Sequence, residues 1–412
     1  MKALSLQSWA RRLFASALAA TRVFTAVACE DTNDNGGNTT AATTTTTQGD
    51  SDDSEPAGDK LVLGGLAPLT GPVAVYGNAS NNGSLLAIDH LNANGGILGR
   101  QVDYIVYDEQ GDPEQAISNF ERLVNEDEIV ALIGDVTTQP SIAVAQRAQQ
   151  AGIPMLTPTS TGADVTLGKD MVFRVCFIDP DQGTTMASYV DETMDLTKVA
   201  VIHNAADDYS VGLSEAFVEE SEARGLEVVA EESYLTDAVD FRTQLTRIAQ
   251  SEPEVLYVPD YYGTNILILN QAREVGLDVP VLGGDGWDGI LNVTSEGNPQ
   301  EADGVIFTNH FTPSDTAENV QDFVTAYEDK YDATPISFAA LGYDAVMMMA
   351  QAIEEAGSTD PDAIQEALVN LEYEGITGNI SFDENGDPIK PIKFITIEDG
   401  EYVLDSEMEI SR

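Results

Sequence analysis

The chain has 412 residues, 42% of them hydrophobic, enough to fill two packed lobes. Its 19 basic residues stand against 70 acidic ones, a formal net charge of −51. A field of that sign repels nucleic acid and anionic lipid and sets both aside as partners. Lysine is scarcer than arginine (7 against 12), which with the acid excess fits a protein of a high-salt habitat, where screening over a few ångströms removes self-repulsion.

In chain order, residues 1–28 read as an export signal. MKALSLQSWARR is a basic lead, and LFASALAA with VFTAVA is a small, apolar stretch that Arg22 interrupts, which argues against a membrane-spanning helix. Arg11-Arg12 followed by Leu13-Phe14 looks like a twin-arginine signal. Ala26-Val27-Ala28-Cys29 has two readings: a lipoprotein site with Cys29 acylated, although the usual leucine three before the cysteine is missing, or an ordinary signal-peptidase site. The lipid reading is preferred, because a lone cysteine ahead of a flexible segment suits a tethered protein. Residues 29–60 are acidic, threonine-rich and free of aromatics, so they bury too little apolar surface to fold and read as the tether. The other cysteine is Cys176, so the mature monomer has no internal disulfide.

From Leu61 onward, short apolar runs alternate with amphipathic stretches. LVLGGL, VDYIVY, IVALIG and IPMLTP are predicted strands, and SLLAIDHLNANG, DPEQAISNFERLVNE and SIAVAQRAQQAG predicted helices. Asp112-Pro113 marks the second helix start with a cap and a proline at the first helical position. The pattern restarts with KVAVIHN, LEVVAEESY, PEVLYVPDY, VPVLGG and GVIFTNH, separated by helices around 210–224, 241–250 and 265–275. Helices over 318–331, 337–356 and 360–371 follow, then the strands KFITI and EYVLD. Two consecutive series predict an α/β chain of two doubly wound lobes with parallel sheets. Met347-Met348-Met349 reads as helix core rather than a ligand box.

His90, His203 and His310 are dispersed without ligand spacing, so no metal or other cofactor is expected. One enzyme-like signature remains. Gly284, Gly286 and Gly289 of GGDGWDG satisfy the dinucleotide pattern G-x-G-x-x-G after an apolar run, with Asp303 roughly 20 residues on. Against a phosphate, Asp285 and Asp288 would face a dianion, and the loop comes late in its series rather than after the first strand.

Nine segments in order carry a resemblance: GPVAVYGNASNNGSLLAIDHLNANGGILGRQV, YDEQGDPEQAI, IGDVTTQPSIAVA, GIPMLTPTSTGADVT, FRVCFIDPDQGTTMA, VAVIHNAADDYSVGL, ILILNQAREVGL, GGDGWDG and TGNISFDENGD. They cover residue 61 to the C-terminus and resemble the branched-chain amino acid binding proteins, the type I periplasmic receptors of ABC importers. The resemblance implies two lobes joined by a three-crossover hinge that close on a ligand. Lobe 1 is expected over 61–179 plus 310–388, and lobe 2 over 180–309 plus 389–412. It implies a monomer with no enzymatic activity, tethered at the outer face of the cytoplasmic membrane, whose partners are a small amino acid and an ABC permease.

A zwitterionic ligand needs different partners for each end. TTQPS follows a strand and opens a helix, so its hydroxyls and free N–H groups suit a carboxylate. By resemblance, Thr138 and Thr161 donate to the carboxylate, with Ser160 beside them, and the Thr159 carbonyl accepts from the ammonium. Tyr76, Tyr209 and Tyr261 match aromatic positions of the family cleft, with Tyr262 a neighbouring alternative to Tyr261. Asp285 matches the acid that pairs with the ammonium, one methylene shorter than the usual glutamate, and Gly286 follows it as in the family. Trp287 is left with two readings, closing the side-chain pocket or capping the loop from outside. Amides, urea or another small ligand used in sensing form the alternative, because the scaffold is shared.

Overall fold

The computed structural model describes residues 60–295 and 298–410. The export signal, Cys29 and nearly all of the tether lie outside them. Two sheets organise the chain. The first is parallel, in the order β2-β1-β3-β4-β5, from β1 (Leu61–Ala67), β2 (Val102–Asp108), β3 (Ala131–Ile133), β4 (Met155–Thr157) and β5 (Val172–Arg174). The second has the order β14-β13-β10-β9-β8-β6-β7. Its parallel part is β6 (Lys198–Asn204), β7 (Glu227–Tyr234), β8 (Val255–Tyr257), β9 (Val281–Gly283) and β10 (Ile306–Asn309). The late strands β13 (Ile392–Glu398) and β14 (Glu401–Met408) then add an antiparallel edge.

Helices cover both faces of each sheet. Those of the first half are α1 (Ala74–Ala93), α2 (Pro113–Asn125) and α3 (Thr138–Ala151). Those of the second are α4 (Asp179–Glu192), α5 (Asp208–Arg224), α6 (Arg242–Gln250) and α7 (Tyr262–Glu274). The chain then returns to the first lobe with α8 (Glu318–Tyr331), α9 (Ser337–Ala356) and α10 (Pro361–Val369), and with a hairpin of β11 (Tyr373–Gly375) and β12 (Gly378–Ile380). It passes between the sheets three times, at 175–178, 310–317 and 381–391.

Alternation along each strand fixes which face meets which helix. Leu61, Leu63, Ala131, Ile133 and Leu156 join a core with Met348 and Met349 of α9, whereas Leu66, Leu132 and Met155 meet Phe120 of α2 and Val144 of α3. In the second lobe, Val199, Val201, Val255 and Leu282 face Leu213 and Phe217 of α5. Ala200, Ile202 and Leu256 face Leu245 and Ile268 on the other side. Asp112 caps α2 as its spacing predicts, its carboxylate accepting from the N–H groups of Glu114 and Gln115.

Helix α4 falls on a stretch where the sequence predicts none, and α1 is much longer than expected. The sequence places the start of α1 at Ser84, because GNASNNG looks like a loop, yet the helix begins at Ala74. Small residues are needed there for contact with α9. A Cβ on Gly83 would lie 1.9 Å from the Ala339 carbonyl oxygen, and one on Gly342 would lie 2.2 Å from that of Ser80. Tertiary packing therefore overrides a poor helix propensity. Gly83→Ala is expected to lower the unfolding free energy by about 1–3 kcal/mol, because backbone must give way. Gly263→Ala in α7, where nothing lies within 4 Å, is expected to be neutral or stabilising by up to about 1 kcal/mol. Urea denaturation of the two variants side by side checks both.

Candidate functional site

Open α/β sheets bind ligands beyond the carboxyl ends of their strands, where the strand order reverses. Both sheets present that point to the same cleft. In the first lobe the loops after β1 and β3 bring Tyr76, Val136, Thr137 and Thr138, the loop after β4 brings Thr159 and Thr161, and the first turn of α9 brings Phe338. In the second lobe the segments after β6 and β8 bring Tyr209 and Tyr261, and the turn after β9 brings Asp285 and Gly286. These residues enclose about 230 Å³.

The first-lobe wall is a donor surface. Thr137 and Thr138 stand at the N-terminus of α3, whose first turn has no side-chain cap, so its positive end is open to the cavity. The Thr138 hydroxyl accepts from Gly162 N–H at 3.3 Å, and Thr159 donates to the Val136 carbonyl at 2.7 Å, which ties the two loops together. Behind them Arg174, fully buried, donates to the carbonyls of Ser160 and Gly162 and pairs with Asp387 at 2.6 Å. The third crossing between the sheets thereby holds the threonine loop. Beneath Val136 lie two buried acids, Glu109 and Asp135. Burial and their mutual repulsion push Glu109 up to about 9, so the pair keeps a proton at neutral pH.

Aromatic rings line both sides. Tyr76 stacks on Phe338 with centroids 4.1 Å apart, and Tyr209 stacks on Tyr261 at 4.9 Å. Tyr76 also bridges the lobes, its hydroxyl donating to the Gly286 carbonyl and accepting from Tyr262 N–H at 3.1 Å. Tyr262 is thus a lip residue, with its own hydroxyl donating to Pro72 O at 2.7 Å, while Tyr261 faces the cavity.

Most of the residues singled out in the sequence converge here, and two do not. Ser160 is buried beside the cavity without lining it; its N–H donates to the Thr157 hydroxyl and its carbonyl serves Arg174. Trp287 turns away from the cavity, fully buried, with Nε1 donating to Val258 O at 2.8 Å. It neither closes a pocket nor caps the loop from outside. A Cβ on Gly283 would come within 1.9 Å of its indole, so that glycine makes room for the tryptophan. Sequence reasoning missed Phe338 and Val136 as lining residues. It also quoted Gln182 and His310 without giving either a role at the site. Among the described residues no cluster of histidine, cysteine or acid suits a metal, and no helix is long and apolar enough to cross a membrane.

The sequence model of the periplasmic binding protein family matches residues 60–401. The chain belongs to the periplasmic binding protein family. It is 33% identical to the Leu/Ile/Val-binding protein homolog 3 of Brucella melitensis over 80% of this chain and 89% of that one. It is similar to the leucine binding protein LivK of Thermotoga maritima (31% identity, TM-score 0.80, 85% and 99% of the two chains). It is also similar to the branched-chain amino acid substrate binding protein LivJ of Streptococcus pneumoniae, solved in complex with isoleucine (30%, TM-score 0.79, 86% and 100%). This is a family of exported substrate-binding proteins rather than enzymes.

The second-lobe wall of the cleft centres on one acid. Asp285 Oδ1 accepts from Tyr209 OH at 2.9 Å and Gln182 Nε2 at 3.0 Å. Gln182 returns the contact by accepting from Asp285 N–H at 3.0 Å, and Thr308 anchors the same amide oxygen at 2.6 Å. Oδ2 lies 3.7 Å from His310 Nε2, but burial drives the imidazole far below its usual range, so it is neutral. Among the described residues no lysine or arginine pairs with the carboxylate. Burial pushes Asp285 up to about 6, against the pull of Gln182 and Tyr209.

Because the folded-state value lies above the 3.8 of an exposed aspartate, the proton favours the fold. That contribution is whole below about pH 4 and is lost as pH rises through about 6. In ligand-free protein, Asp285→Asn is therefore expected to be about 1–3 kcal/mol more stable than the parent at pH 7.5, with no gain at pH 4. Urea midpoints at the two pH values check this.

Proposed function

We propose that this periplasmic binding protein captures a branched-chain aliphatic amino acid between its lobes and delivers it to an ABC permease. The observation that carries the reading is the pairing of opposite needs across about 230 Å³: an open helix N-terminus with threonines on one wall, an uncompensated carboxylate on the other. A zwitterion answers both. Its carboxylate takes the hydroxyls of Thr138 and Thr161 and the α3 N-terminus, and its ammonium takes Asp285 Oδ2 and the Thr159 carbonyl. The rings of Tyr76, Tyr209, Tyr261 and Phe338 take the apolar side chain. A ligand held this way touches both lobes at once, so its binding free energy favours closure. The isoleucine held by the LivJ neighbour supports the same ligand class.

An amide or urea receptor used in sensing is the other reading, and Asp285 separates the two, since such ligands carry no ammonium. Export, a lipid on Cys29, the spacer formed by residues 29–60 and work as a monomer in high salt complete the proposal. The charge of −51 supports the last of these.

Calorimetric titration with leucine, isoleucine and valine is expected to show one saturable site per chain. Asp285→Ala is expected to weaken it roughly 100-fold or more, by leaving a buried ammonium unpaired, whereas an amide ligand would bind that variant undiminished. Absence of saturable binding by any amino acid, in low or multimolar salt, overturns the reading. Since the ammonium pairs with the ionised acid, affinity is expected to fall as pH drops through about 6, approaching tenfold per unit. Titrations from pH 4.5 to 8 measure the slope.

A further inference from the structure

We propose that Asp288, which does not line the cavity, is a closure latch that binds one lobe to the other and sets how long the ligand stays. The residue is the second acid of GGDGWDG, 1% exposed. Two of its contacts lie within its own lobe: Oδ1 accepts from Gly289 N–H at 3.0 Å and Oδ2 from Asn309 Nδ2 at 3.2 Å. The third crosses the cleft. Oδ2 accepts from the N–H of Ser337 at 2.7 Å, and Ser337 is the first residue of α9, the 20-residue helix packed along α1 in the first lobe. The carboxylate therefore sits at the positive end of a long helix that belongs to the opposite lobe.

The bond is short and charge-assisted, and such bonds are roughly twice as strong as neutral ones. Several other contacts across the cleft join neutral groups: Tyr76 with Gly286, Tyr262 with Pro72, and Gln139 with Ala206. Next to the latch, Gly289 lies against Val75 of the first lobe, whose Cγ1 would be 3.0 Å from an added Cβ, so the lobes meet there without a gap. Opening the cleft pulls the Ser337 N–H away and leaves one carboxylate oxygen to water. Ligand affinity then depends on a residue outside the ligand's reach, through dissociation rather than association.

The two ends of the bond can be removed separately. Ser337→Pro deletes the N–H, with Ser337→Ala as the control for the hydroxyl, which also faces Asp288: proline is favoured at the first helical position, and Ile336 before it is extended (φ −91°, ψ 170°) as a pre-proline residue must be. Asp288→Ala deletes the acceptor. In stopped-flow measurements on leucine-loaded protein, each single variant is expected to release ligand about tenfold faster or more, with association changed less than twofold. Because both remove one bond, the double variant is expected to release no faster than the faster single variant. In ligand-free protein, spin labels placed on the two lobes are expected to report a wider mean separation for either variant. If folded Ser337→Pro releases leucine at the parent rate, or if the two effects multiply, the latch is overturned. Should the parent not bind leucine, the ligand reading fails instead. The spin-label distances then decide the latch alone, and an unchanged separation in Ser337→Pro overturns it.

Discussion

A carboxylate moved out of water with no cation beside it carries a penalty of several kcal/mol, and a protein keeps such a group only where something else compensates. Asp285 is that group here. Its Oδ1 is immobilised by Tyr209 and Gln182, and Gln182 is itself fixed by Thr308 and by the Asp285 backbone, so the side chain cannot swing out to solvent. The free oxygen is left facing the cavity and a neutral histidine. The penalty is thus stored in the ligand-free fold, and a cationic group bound at the free oxygen would release it. Stability and binding oppose each other at this residue.

The architecture follows from having to place two opposite electrostatic ends a few ångströms apart. One lobe alone offers donors: an open helix terminus and hydroxyls held by Arg174 through the threonine loop. The acid cannot stand on the same loops, because it would accept those donors itself. Putting it on a separate sheet keeps the ends apart until closure. Three passes of chain between the sheets, rather than one, limit the approach to a hinge and keep the two walls in register.

The central strands were legible because they are buried on both faces and read as apolar runs; β3, β4, β6, β8, β9 and β10 fall inside the predicted stretches. The threonine segments could be placed at the binding end of the sheet because they directly follow apolar strands, whereas Asp285 stands out only through the family resemblance. The start of α1 was not, since GNASNNG is composed like a loop and only the Gly83 and Gly342 contacts with α9 explain it as a helix. Phe338 was hidden for a related reason: it opens an apolar helix that is core along most of its length, and no local pattern marks the one ring that faces the cleft. Trp287 could not be oriented from sequence, because its direction is set by a three-residue turn.

That turn also accounts for the spacing of the loop. Residues 285–287 form a single 3₁₀ turn, closed by Asp288 N–H donating to the Asp285 carbonyl at 3.0 Å. Side chains three apart in such a turn lie on one side of it. Asp285 and Asp288 therefore both look toward the first lobe, one into the cavity and one to the N-terminus of α9, while Trp287 between them points back into the core of its own lobe. The glycines let this happen at close quarters: a Cβ on Gly286 would meet the Asp260 carbonyl at 2.7 Å and the Tyr209 hydroxyl at 2.8 Å, the same hydroxyl that holds Asp285. A pattern that elsewhere clears space for a pyrophosphate clears it here for the protein's own backbone and rings. Its two acids, which would repel a phosphate, both face helix N-termini of the opposite lobe: Asp288 meets that of α9 directly, and Asp285 lies across the cavity from that of α3.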